Sequence, residues 1–337
     1  MSRSFKTFLK HTAKDFHNHS VNPPVVRAST IIFKSMNDIR RTQAKYKRDP
    51  RGGYFDYGRQ GTSTTHILQK ILTKLEESYH VFLTPTGFGS VFLAIFSIVR
   101  PGDEILTADP VYNPTRMLTQ DYLTEFGIKT TFYNPHDLNS IKKNITKKTK
   151  LIFVENPGSN TFEFQDLSKI ISIAKKNKIF TAIDNTWATP YFFKPIKLGF
   201  DMAIVSATKY YSGHSDVMGG SLAVNQKVFK YVEKAQKITG LRLGPDDAYL
   251  ITRGLRTLDV RLDKHQENAK KVAAFLSKNK KVKLLYPYKK GSFNYKMWKK
   301  YYSGASGLMG LKIKAKNKKS VIKFVNSLKL FGYGYSW

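Results

Sequence analysis

An aspartate that closes one apolar run and a lysine just past the next are the residues here with the clearest chemical use. Asp184 ends the run from Ile179, Lys209 follows Met202 to Ser206, and the two lie 25 residues apart. In an α/β sheet such a spacing can return the chain to the same carboxyl edge, where ligands bind. Both groups can then face one pocket. A lysine preceded by the Ser206 and Thr208 hydroxyls and followed by Gly213-His214-Ser215 suits a Schiff base beside a phosphate site. An aspartate opposite suits the partner of a protonated pyridine nitrogen. Spacing alone equally admits a solvated lysine and a strand-end turn aspartate.

Three further stretches bear on that choice. Thr84-Pro85-Thr86-Gly87-Phe88-Gly89-Ser90 stands between a short strand and a helix. Its small residues leave backbone N–H groups free where the helix dipole favours an anion; an ordinary tight turn is the plain alternative. Tyr57-Gly58-Arg59-Gln60-Gly61-Thr62 puts a phenol and a guanidinium on a glycine-flanked loop suited to phosphate, or simply makes a basic surface loop. Asp109-Pro110-Val111-Tyr112 sets an aromatic just after a strand, where a flat ring could stack, although a core or surface tyrosine reads the same way. His17-Asn18-His19 has a spacing that would suit a metal on a strand, but it lies in a polar segment without an acidic ligand set. No metal is expected. His214 is expected to make a structural hydrogen bond.

The elements that must carry these residues follow from the apolar pattern. The first sixty residues are polar and irregular, apart from a basic helical stretch at Ser35 to Lys47, and read as an arm, 1–60. Helices are then expected at His66 to Glu77, Gly89 to Val99 and Asp166 to Lys176. Short strands are expected at His80 to Leu83, Glu104 to Thr107, Leu151 to Glu155, Ile179 to Asp184 and Met202 to Ser206. Their alternation argues for an α/β large domain with a largely parallel sheet, 61–253. A long helix at Asp259 to Lys278, with apolar Leu262, Val272, Phe275 and Leu276, leads into a small α+β domain, 254–337. Its expected elements are Leu284 to Tyr286, Gly310 to Ile313, Ser320 to Leu328 and Leu330 to Tyr333. An ending on Tyr335-Ser336-Trp337, without a polar tail, reads as an incomplete second domain.

Composition bounds the function. The chain has 337 residues, no cysteine, and 57 Lys+Arg against 24 Asp+Glu, for a net charge of +33. Disulfides, thiolate catalysis and Cys-ligated clusters are excluded. No run approaches the roughly 20 apolar residues of a membrane span, and the N-terminus lacks a signal-peptide core, so a cytoplasmic protein is expected. The charge raises a nucleic-acid-binding protein on an inactive scaffold as a rival reading. Its lysine runs, however, are scattered over separate elements with little aromatic interleaving, the pattern of solvated faces. No specific nucleic acid is expected.

Taken in order, the four stretches resemble the Cys/Met-metabolism family of pyridoxal-phosphate (PLP) enzymes, the fold type I transsulfuration enzymes. The segments DNTWATPYFFKPIKLGFD, SATKYYSGHSDVMGG, ITRGLRTLDVRLDKHQENAKKVAAFL and FGYGYSW are most similar to its β-lyase branch, and the likeness covers nearly the whole chain. The resemblance implies a PLP-dependent transferase-like fold and β-elimination of L-cystathionine to L-homocysteine, pyruvate and ammonia, a step towards methionine. γ-Synthase, γ-lyase and cysteine-S-conjugate β-lyase activities are the alternatives within the family.

It further implies that Lys209 holds PLP covalently, that Asp184 pairs with the pyridinium nitrogen and that Tyr112 stacks on the ring and joins Lys209 in catalysis. Gly87 and Phe88 N–H groups, with the Ser206 and Thr208 hydroxyls, would hold the phosphate. Tyr57 and Arg59 would reach the phosphate of a neighbouring subunit, which makes a homodimer or homotetramer the expected assembly. Ser336 and Trp337 would line the substrate site, and Gln236, near where β-lyases can place a tyrosine that contacts the substrate, departs from that branch. The family's arginine for the substrate α-carboxylate, which lies beyond the YSW motif, has no counterpart here, so either the sequence is a fragment or weakened activity is expected.

Overall fold

Strands such as Thr149–Glu155 are apolar on both sides, and each side has its own covering layer. Ile152 and Val154 pack into one buried cluster with Leu68, Leu72, Val205 and Ile251. Leu151 and Phe153, alternating with them, pack into a second with Leu93, Ile95, Leu222 and Val228. That arrangement requires a central sheet with helices on both faces. The computed structural model, which describes residues 4–12, 20–287, 290–335 and 337, has this architecture.

The strands are β1 (His80–Thr84), β2 (Glu104–Ala108), β3 (Lys129–Tyr133), β4 (Thr149–Glu155), β5 (Phe180–Asp184), β6 (Met202–Ser206) and β7 (Gly220–Val224). They form a seven-stranded sheet in the order β1-β7-β6-β5-β4-β2-β3. All neighbouring pairs are parallel except the two made by β7. The chain is thus an α/β protein with a mostly parallel mixed sheet. β3 and β7 were not anticipated from the sequence.

The helices begin where their caps lie. The helix Gly87–Ile98 starts two residues before the expected Gly89, because the Thr86 side chain accepts the Gly89 N–H at 2.9 Å. The helix Ser63–Leu75 starts ahead of His66 through a reciprocal box between Thr62 and Thr65. Beyond the sheet, the helix Leu258–Leu276 buries Leu258, Leu262, Ala269 and Ala273, whereas Val272 and Phe275 face outward. It leads to a two-stranded antiparallel sheet of β8 (Val282–Leu285) and β9 (Gly310–Ile313). The helix Lys318–Asn326 follows, and Leu330 to Tyr333 form no regular element. Among the described residues no helix is long and apolar enough to cross a membrane. His17, Asn18 and His19 lie outside the described residues.

Candidate active site

The turn after β6 carries Lys209. The Lys209 N–H donates to the Ser206 carbonyl at 3.1 Å, and the Gly213 N–H returns to the Lys209 carbonyl at 2.8 Å. Gly213 closes this turn at φ +74°, where a Cβ would run into the Arg261 guanidinium. The lysine is half-buried, and desolvation lowers its pKa. Its Nζ lies 5.6 Å from the centre of the Trp337 ring, which packs on Tyr210 with ring centres 5.3 Å apart. The structure therefore brings Trp337 to the lysine. Ser336 lies outside the described residues.

Asp184 ends β5, and Glu155 ends β4 as its partner in the parallel ladder. Two carboxyl groups therefore emerge side by side at the carboxyl edge of the sheet. Burial raises the pKa of Asp184 against two donors from Thr186, one of them its backbone N–H at 2.9 Å. Burial and then the neighbouring Asp184 push Glu155 well above the usual carboxylate range. Thr186 also ties this edge to the lysine turn, since its hydroxyl accepts the Ser206 N–H at 2.9 Å. Glu155 and Thr186 were missed by the sequence reading. Glu155 closes an apolar run just as Asp184 does, and that was the available signal.

Between β1 and its following helix, Gly87 and Phe88 have the first two helical N–H groups, which no intrahelical carbonyl can take. Gly87 packs against Ser206 so closely that a Cβ would fall 2.4 Å from its hydroxyl. The Ser206 hydroxyl and the helix N-terminus thus share one small space. The Thr208 hydroxyl instead donates to the Gly219 carbonyl at 3.2 Å and accepts the Gly219 N–H at 3.1 Å, bracing the lysine turn. His214 likewise is structural, with Nδ1 2.6 Å from the Ser212 carbonyl.

Tyr112 caps the short helix Asn113–Met117, is exposed at its ring, and donates its N–H to Glu155 at 2.6 Å. That bond joins the loop after β2 to the carboxyl edge. Tyr57 and Arg59 stand elsewhere. Both are exposed, and Arg59 donates to the Lys237 carbonyl at 3.1 Å, at the end of the helix Gln226–Thr239. Their contacts do not join them to the strand-end cluster. Gln236 is fully buried and gives its amide to the Leu83 and Leu241 carbonyls. It braces β1 against the end of its own helix.

This arrangement fits PLP on structural grounds. Helical N–H groups without an intrahelical acceptor and a glycine-lined space suit a phosphate, a carboxyl group stands at the sheet edge for a ring nitrogen, and a desolvated lysine is nearby. Comparison with known proteins agrees. The family described as Cys/Met metabolism PLP-dependent enzyme matches residues 6–337. A cystathionine beta-lyase of Haemophilus influenzae is 35% identical over 329 residues, covering 96% of this chain and 82% of that protein. An L-alanine/L-glutamate racemase of Wolbachia pipientis is 34% identical over 342 residues, covering 98% of this chain and 84% of that protein. A solved cystathionine gamma synthase of Xanthomonas oryzae pv. oryzae, in complex with aminoacrylate and cysteine, superposes with a TM-score of 0.90 at 26% identity. That match covers 100% of this chain and 84% of the other.

Proposed function

We propose that this chain, which belongs to the Cys/Met metabolism family of PLP-dependent enzymes, cleaves L-cystathionine by β-elimination to L-homocysteine, pyruvate and ammonia. Membership makes it an enzyme of a PLP-dependent lyase family, with PLP as its cofactor. The particular sulfur substrate is our reading. What supports it is the likeness to cystathionine beta-lyases, together with the half-buried Lys209, its amine desolvated and set against Trp337.

PLP, when bound, supplies an electron sink for negative charge at the substrate Cα. The chain supplies the rest. A depressed pKa leaves more of the Lys209 Nζ unprotonated near neutrality, so Nζ can take the α-proton and return it to the departing sulfur. Asp184 would hold the ring nitrogen in its cationic form. The Gly87 and Phe88 N–H groups and the Ser206 hydroxyl would hold the phosphate end, with Thr208 bracing the lysine turn beside it, and Tyr112 would supply an aromatic face for the ring. Trp337, packed beside Nζ, would line the substrate side.

We read residues 1–60 as an arm, 61–253 as the PLP-binding domain and 254–337 as the smaller domain. In this reading Tyr57 and Arg59 serve the phosphate of a neighbouring copy in a homo-oligomer.

The test is the product formed from L-cystathionine. β-Elimination releases pyruvate, whereas γ-elimination releases 2-oxobutyrate. The likeness to a gamma synthase makes γ-chemistry the alternative. Release of 2-oxobutyrate without pyruvate overturns the β-lyase reading and leaves the cofactor site intact.

A further inference from the structure

We propose that Glu155 is a positioning residue of the cofactor site: as a neutral acid it shares one proton with Asp184 and holds the backbone of Tyr112. The pair then presents a single negative charge to the cationic ring. The inference rests on the reading of Asp184 and Tyr112 given above.

Its basis is the register of the sheet. Glu155 and Asp184 are directly paired residues at the ends of neighbouring parallel strands, so their side chains leave the sheet together. The groups facing Glu155 are the Tyr112 N–H, the Ser159 side chain and Asp184; those facing Asp184 are the Thr186 N–H and hydroxyl. All the donors are neutral. Among the described residues neither carboxyl group makes an ion pair. Two like charges in that position cannot both persist, so one proton stays with the pair. Each carboxyl group has two neutral donors and is raised by burial; Glu155 is pushed further by the neighbouring Asp184, and we assign the proton to it.

Mechanical evidence points the same way. The turn after β4 grips the loop before Tyr112 at three places. Glu155 accepts the Tyr112 N–H at 2.6 Å, the Ser159 N–H donates to the Pro110 carbonyl at 2.7 Å, and Gly158 lies so close that a Cβ would fall 2.6 Å from Pro110 Cγ. The loop that carries Tyr112 is therefore held from β4. Charge and placement of the two cofactor contacts meet in one side chain.

Two measurements on the full chain test this, alongside Lys209→Ala. The first is the infrared spectrum at neutral pH, with and without PLP. A deuterium-sensitive band of a neutral carboxylic acid is expected in the wild type and absent from Glu155→Gln. The difference between those two spectra separates it from Glu76, the fully buried carboxyl group with a pKa raised to about 7. The second is PLP affinity, read from absorbance. Glu155→Ala leaves the Tyr112 N–H without its acceptor and should weaken binding about tenfold, whereas Glu155→Gln, which still accepts that bond, should recover most of the loss. No acid band in the difference spectrum, or equal affinities for the two variants, overturns the inference. PLP uptake by the wild type that is spectroscopically unchanged in Lys209→Ala overturns the underlying site reading instead.

Discussion

Gly87 and Ser206 meet where two separate elements of the sheet layer converge. A Cβ added to the glycine would lie 2.4 Å from the serine Oγ, 2.5 Å from its Cβ and 3.0 Å from its Cα. The last contact is backbone, so a side-chain rotation cannot relieve it. Gly87→Ala must push the N-terminus of its helix away from β6 and open the space assigned to phosphate. PLP affinity is expected to fall by about tenfold or more, with far-ultraviolet circular dichroism unchanged. Gly89→Ala is the control, since its nearest neighbour would be the Thr86 hydroxyl at 3.2 Å. Unaltered affinity in Gly87→Ala would move the phosphate elsewhere.

Lys209→Ala is expected to remove the visible absorption of lysine-bound PLP, because only an ε-amine can make that bond. Turnover should drop by about three orders of magnitude through loss of the proton carrier. The Trp337 ring also loses the amine beside it, so its fluorescence should change in the same variant. A visible spectrum identical to that of the wild type would exclude Lys209 as the attachment point.

Glu76 gives a pH dependence of stability with a definite sign. It is fully buried, accepts the Tyr211 hydroxyl at 2.8 Å and leaves Oε2 without a partner. Burial raises its pKa from 4.5 to about 7. The folded state then binds its proton more tightly than the unfolded chain. This contribution is complete below pH 4.5 and declines as pH rises through about 7, a loss on the order of 3 kcal/mol. Glu76→Gln cannot titrate. Its melting temperature should change less between pH 5 and 8 than that of the wild type, and parallel curves for the two proteins would contradict the assignment.

The legible parts of the sequence were those where one strand or turn determines the answer. Asp184 and Lys209 stand out because Phe180–Asp184 and Met202–Ser206 are apolar runs bounded by polar turns. β3 escaped notice because Lys129–Tyr133 is an edge strand, polar and partly exposed over most of its length. β7 begins in the Gly219-Gly220-Ser221 run, whose composition reads as loop, and is a strand because β1 and β6 flank it. Leu330 to Tyr333 reads as an element of the small domain but forms no regular structure, and Gly332 lies within it. Glu155 was hidden for a different reason. Its meaning depends on which residue stands opposite it in the next strand, and register is a property of the folded sheet.

The last prediction concerns Arg59. Its guanidinium is 5.9 Å from the Tyr57 ring and bonds to the Lys237 carbonyl, with both side chains exposed. Among the described residues neither side chain bonds to those around Gly87 and Ser206, so we assign a phosphate contact from them to a site other than the one in the same chain. If that site belongs to a second copy, Arg59→Ala and Lys209→Ala disable different halves of it. Each variant alone should be nearly inactive. In a mixed dimer, one site combines both defects and the other has neither, so random exchange restores about a quarter of the wild-type activity. Exchange can be verified with differently tagged chains, and pyruvate release followed before and after mixing. Proven exchange without recovery would show that Arg59 and Lys209 serve the same chain's site, and the arm would then have to move to bring them together.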